Sequence, residues 1–148
     1  MTSFRKTVLV QHTAQAMFEL VDDIENYPEF LPWCGKSEVL HRDSGKVDAT
    51  LEINFYGVKQ AFTTRNDISQ GPTIMKIGLL KGPFKHLSGQ WSFKPLGEEA
   101  CKVEFSINYA FSSLVLTNFL GPVFEKITGT LVQAFVERAN TIRDKNPK

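Results

Sequence analysis

The sequence predicts an α+β fold in which a curved antiparallel sheet of about seven strands wraps around one long C-terminal helix, with two short helices after the first strand. Three observations predict it. Residues 47–56 and 101–110 alternate apolar and polar side chains without a break, the pattern of strands with one wet face. Residues 111–144 form the one stretch long enough for an extended helix, with Leu116, Leu120, Val123, Phe124, Ile127, Leu131, Phe135 and Ile142 at steps of three and four. The segments between the strands are of hairpin length, which favours antiparallel neighbours. A sheet with one apolar face must cover it, and the terminal helix is the only cover of adequate length.

Each element follows in order. Residues 3–11 read as a strand, broken at His12 and Thr13. Thr13 is a good N-cap for a short helix whose stripe is Ala14, Met17, Phe18 and Val21. Asp22 and Asp23 oppose the helix dipole and end it. Residues 24–32 read as a second, shorter helical piece or a pair of turns, divided by Pro28 and Pro32. Strands are then expected at 37–42, 47–56, 61–69, 73–80, 86–94 and 101–110, separated by turns rich in glycine, proline and serine. Ser112 and Ser113 suit a helix start, and Gly121-Pro122 predicts a kink or a restart.

A chain of 148 residues fits one domain, taken as 1–148. No run is long and apolar enough for a membrane-spanning helix, and the N-terminus lacks the hydrophobic region of a signal peptide. Cytoplasm is the expected compartment, with Cys34 and Cys101 as free thiols. Charge is segregated: residues 7–35 hold acids but no lysine or arginine, and residues 68–97 hold lysines but no acid. Lys59, Arg65, Lys76, Lys81, Lys85 and Lys94 are therefore candidates for one surface facing an anionic partner, structured RNA or lipid headgroups. Like charges gathered on outward strand positions would look the same. No helix-turn-helix, zinc finger or RNA-recognition signature is present, so sequence-specific DNA binding is not expected.

The candidate interior is rich in rings, with twelve phenylalanines in the chain. Leu51, Phe55, Phe62, Trp91, Phe93, Phe105 and Phe124 are expected to face inward, with Ile127 and Leu131 on the helix opposite. Such side chains either fill a core or line an apolar ligand cavity. The stretch 27–34 sets Tyr27, Phe30, Leu31 and Trp33 between stiffening prolines, suited to a mouth or to a plug. Leu80 and Phe84 mark a second candidate rim. His12, His41 and His86 are isolated in sequence, and there is no HExxH, CxxC, phosphate loop or nucleophile elbow. No catalytic residue and no metal site is assigned.

The segments FELVDDIENYPEFLPWC, SGKVDATLEINFYGVKQAFTTRN, GPFKHLSGQWSFKPL, CKVEFSINYAFSS and VFEKITGTLVQAFVERA resemble the coenzyme Q-binding and ribosome association toxin (RatA) branch of the START-like superfamily, also labelled polyketide cyclase/dehydrase-like. The resemblance runs over about residues 1–143. It implies a helix-grip fold and a cavity that binds ubiquinone or a related isoprenoid lipid without catalysis, in support of respiration. No cofactor is required, and the position would be cytoplasmic or peripheral to the inner membrane. It implies as an alternative a toxin that binds the large (50S) ribosomal subunit and blocks its association with the small one. The absence of a transit-type leader favours a bacterial protein and that alternative. A third reading is an aromatic polyketide cyclase. By the same resemblance, Tyr27, Phe30, Leu31, Pro32 and Trp33 match the mouth of the family's pocket.

Overall fold

The alternating segments do form strands in the computed structural model, which describes residues 1–145; residues 146–148 of the expected 1–148 domain lie outside the described residues. The order is β1 (Thr2–Val10), α1 (Ala14–Asp22), a 3-10 helix (Ile24–Glu29), β2 (Cys34–Asp43), β3 (Lys46–Phe55), β4 (Val58–Asp67), β5 (Ile74–Lys81), β6 (Phe84–Pro95), β7 (Cys101–Phe111) and α2 (Leu114–Lys145). The strands make one seven-stranded sheet in the spatial order β1-β7-β6-β5-β4-β3-β2, every pair antiparallel. From β2 to β7 the chain is a meander. The segment from β1 to β2 carries α1 and the 3-10 helix from one edge of the sheet to the other.

Local chemistry sets the boundaries. Thr13 caps α1 by accepting a hydrogen bond from the Ala16 amide at 3.0 Å. Both hairpins flanking β3 use two-residue turns with positive φ: Ser44 (53°) with Gly45 (78°), and Tyr56 (52°) with Gly57 (78°). Tyr56 is an unusual residue for that conformation. Its ring lies 4.4 Å from that of Phe55, with Lys126 Nζ 4.7 Å above it.

α2 departs from expectation in three ways. It starts at Leu114 rather than residue 111, because Phe111 ends β7 and Ser113 Oγ accepts from the Leu116 amide at 3.1 Å. It does not restart at Pro122, which lies in the third turn with its missing amide on the exposed side. Its buried stripe is Leu120, Phe124, Ile127, Thr128, Val132, Phe135 and Ala139, whereas Ile142 is exposed. A helix of 32 residues is about 48 Å long.

The core lies between the concave face of the sheet and α2. Met17 and Val21 of α1, Leu31, Phe93, Phe105 and Phe135 are almost entirely buried there. Edge-on ring contacts tie Phe135 to Tyr27 at 5.4 Å, to Phe30 at 5.2 Å and to Trp91 at 5.3 Å.

Candidate functional site

A cavity of about 90 Å³ separates the middle of α2 from the sheet. Side-chain parity decides what lines it. On β4 the inward residues are Phe62, Thr64 and Asn66, paired across β3 with Leu51, Ala49 and Val47. On β5, Ile77 faces in beside Asn66; on β6 and β7 the walls are Leu87, Trp91, Phe105 and Ile107. α2 supplies Phe124, Ile127, Thr128, Leu131 and Phe135, while Ile24, Tyr27 and Trp33 close the end under the 3-10 helix.

Of the residues expected here, Tyr27, Trp33, Leu51, Phe62, Trp91, Phe105, Phe124, Ile127 and Leu131 are brought together around the cavity. The others lie elsewhere. Phe30 lines an outer groove with Gly129, Gln133 and Glu137 of α2, Leu31 is buried core beneath that groove, and Trp33 is shared by groove and cavity. Phe55 packs against the tilted ring of Tyr56 at a hairpin tip. Leu80 is exposed because the inward positions of β5 are Met75, Ile77 and Leu79, which turns Leu80 outward. Phe84 plugs the end of the sheet against Phe62 (5.7 Å) and Phe124 (5.2 Å). Phe93 is solid core between Phe18 and Trp91. The interior is therefore packed at both ends and hollow in the middle.

Sequence reasoning missed the polar residues of the wall. Asn66 and Thr64 are buried, and Thr64 Oγ1 donates to Asn66 Oδ1 at 3.3 Å. Thr128, on the opposite wall, donates its hydroxyl proton to the Glu125 carbonyl at 3.1 Å and keeps an oxygen free to accept. The available signal was that Thr64 and Asn66 share the parity of Phe62. Trp33 Nε1 is buried and has no hydrogen-bond partner among the described residues. Tyr27, by contrast, donates its hydroxyl proton to the Val21 carbonyl; burial raises its pKa and keeps it neutral. No aspartate, glutamate, lysine, arginine or histidine lines the cavity among the described residues. Cys34, beside Trp33, has its thiol pushed up to about 11, first by burial, and donates to the Lys36 carbonyl at 3.4 Å. It is a thiol, not a thiolate, at neutral pH.

The expected cationic face is divided. Arg65 is held by both oxygens of Asp48 at 2.7 and 2.9 Å, and Lys59 lies 3.9 Å from Glu52. Both acids come from β3, so these cations are neutralised across the strand pair. Lys76 stands opposite Asp67 in the register, although Asp67 pairs with Lys46. Lys94 stands opposite Lys102 at the far end of β6. Lys81 and Lys85 flank the β5–β6 turn. That turn is tied to the start of α2 by the Ser112 amide, which donates to the Pro83 carbonyl at 3.0 Å. Large apolar side chains are exposed at this same end: Leu114 (75%), Val115 (75%), Phe119 (57%) and Leu80 (46%).

A seven-stranded antiparallel sheet gripping a long terminal helix over an apolar cavity defines a START-like, helix-grip protein. The chain belongs to the polyketide cyclase/dehydrase and lipid transport family, whose profile matches residues 10–136. It is similar to the ribosome association toxin RatA of Escherichia coli (strain K12), 37% identical over 142 residues, covering 96% of this chain and 89% of that protein. It is also similar to the mitochondrial coenzyme Q-binding protein COQ10 of Drosophila melanogaster, 29% identical over 138 residues, covering 90% of this chain but 57% of that protein. Among solved structures, the Zhui aromatase/cyclase of Streptomyces sp. R1128 superimposes with a TM-score of 0.84 at 19% identity, covering 99% of this chain and 96% of that one. At that identity the likeness is one of fold.

Proposed function

We propose that this chain is a ribosome-associating protein of the RatA type, which binds the large subunit and obstructs its joining to the small one. The observation that carries this reading is the sheet end where Lys81 and Lys85 stand beside exposed Leu80, Leu114, Val115 and Phe119. Cations there meet phosphate, and the apolar side chains supply contact area that water otherwise covers. The similarity to RatA proteins over nearly the whole chain supports the same reading. The test is sedimentation with purified large subunits at two salt concentrations. Binding should weaken as salt rises, and Lys81→Glu with Lys85→Glu should reduce it about tenfold or more. Unchanged sedimentation of the double variant removes this surface from the reading.

A second reading concerns the interior, and the cavity itself favours it. The chain binds an apolar small molecule between sheet and α2, with ubiquinone or a related isoprenoid lipid as the specific candidate. The similarity to a coenzyme Q-binding protein supports it. Size constrains it: an apolar cavity of about 150 Å³ holds one benzene ring, and this one measures about 90 Å³. A ring enters only as the walls give, and a long tail must lie outside the cavity. Trp33, shared by cavity and outer groove, is the side chain through which the two would join. Mass spectrometry of the native protein, with and without added quinone, tests this reading, and absence of any bound apolar molecule in both would overturn it.

A further inference from the structure

We propose that the cavity selects an uncharged ring-bearing molecule that carries a carbonyl or hydroxyl oxygen, and that Asn66 is the residue that reads this oxygen. The inference rests on the second reading above and adds the chemical class of the ligand and the group that recognises it. Asn66 is only 6% exposed and faces the cavity from a central strand. A core-facing position in a strand flanked on both sides is one where an apolar residue costs least. An asparagine there needs partners, and among the described residues its one side-chain hydrogen bond is the 3.3 Å contact in which its amide oxygen accepts from Thr64 Oγ1. Its amide nitrogen is left to donate. Thr128, on the helix opposite, offers an acceptor oxygen into the same space. This pole can hold a carbonyl by donation from Asn66, or a hydroxyl by donation to Thr128 as well.

The rest of the wall excludes charge. With no lysine, arginine or histidine lining the cavity among the described residues, a carboxylate would be buried without a counter-ion. Fatty acids and other anionic lipids are rejected by that omission, while a bare hydrocarbon leaves Asn66 unpaired. Selection therefore runs neutral and oxygenated first, hydrocarbon second, anion last.

Three single-ring probes separate these cases: tetramethyl-1,4-benzoquinone, 1,2,4,5-tetramethylbenzene and 2,4,6-trimethylbenzoate. They would be titrated into the protein labelled with ¹⁵N, following the Asn66 side-chain amide resonances and the affinity of each. The quinone is expected to shift those resonances and to bind more tightly than the hydrocarbon, with the benzoate weakest. Asn66→Leu, which keeps the branching and heavy-atom count and replaces the polar group by a somewhat bulkier apolar one, should cost the quinone about five- to tenfold more affinity than it costs the hydrocarbon. The ratio of the two affinities cancels any change in cavity shape. Equal loss for both probes, or no loss for either, overturns the role of Asn66 while cavity binding stands. Benzoate binding as tight as the quinone overturns the selection for neutrality. Failure of both quinone and hydrocarbon to bind overturns the cavity reading and this inference together.

Discussion

Arg138 of α2 donates to the Glu29 carboxylate at the end of the 3-10 helix, at 2.9 Å, with its guanidinium 5.0 Å over the ring of Phe30. The contact bridges the outer groove whose inner wall includes Trp33. Glu29 is more than half exposed, so the ion pair contributes about 0–1 kcal/mol to stability. Its consequence is kinetic if the groove is the way in. Arg138→Met should leave the unfolding midpoint almost unchanged and raise the rate at which tetramethyl-1,4-benzoquinone quenches tryptophan fluorescence. Stopped-flow mixing measures that rate, and equal rates in both proteins would place the access route elsewhere.

Phe135 touches the rings of Tyr27, Phe30 and Trp91 at once and is 1% exposed. Phe135→Ala removes the side chain that joins the 3-10 helix, α2 and the sheet. The expected cost is about 3–5 kcal/mol in urea unfolding. A cost under 1 kcal/mol would mean that the three elements do not depend on this ring.

Gly71 lies under Phe18 so closely that an added Cβ would sit 2.5 Å from Phe18 Cζ. Gly71→Ala should therefore destabilise by about 1–3 kcal/mol through overpacking. Phe18→Leu should be worth less in the Gly71→Ala background than alone, because the shorter side chain relieves the clash. A double-mutant cycle reads this coupling, and additive effects would contradict the contact.

Cys34 has its thiol raised to about 11 from an ordinary 9.0, chiefly by burial. A folded-state pKa above the unfolded one means that the folded chain holds the proton longer. The associated stability is fully present below pH 9 and is lost as pH rises from about 9 to 11. Tyr27, shifted upward by the same cause, adds to the alkaline loss. Cys34→Ala should flatten the alkaline limb of a stability profile measured by urea unfolding. An identical slope in both proteins would show that this thiol is not responsible.

The architecture was legible wherever one strand face is apolar and the other polar. Residues 47–56 and 101–110 are such segments, and their neighbours β4 and β6 followed from spacing. The polar part of the cavity wall was hidden for the same reason. Thr64 and Asn66 are polar and look like a solvent face although they share the parity of Phe62, and the register with Ala49, Val47 and Ile77 makes that parity the inward one. Leu80 failed in the opposite sense, being apolar on an outward position. Arg65 looked like a free cation because its carboxylate, Asp48, is seventeen residues away in sequence. Cross-strand pairing belongs to the assembled sheet, and no single segment encodes it.

Among the described residues β1 pairs with β7 alone, and the two are made about a hundred residues apart: Ser3 Oγ meets Asn108 Oδ1 at 2.6 Å. A nascent chain therefore carries β1 unpaired until β7, which ends at Phe111, has been synthesised. Loss of residues 2–10 would bare the long edge of β7, a template on which a second molecule's strand could add.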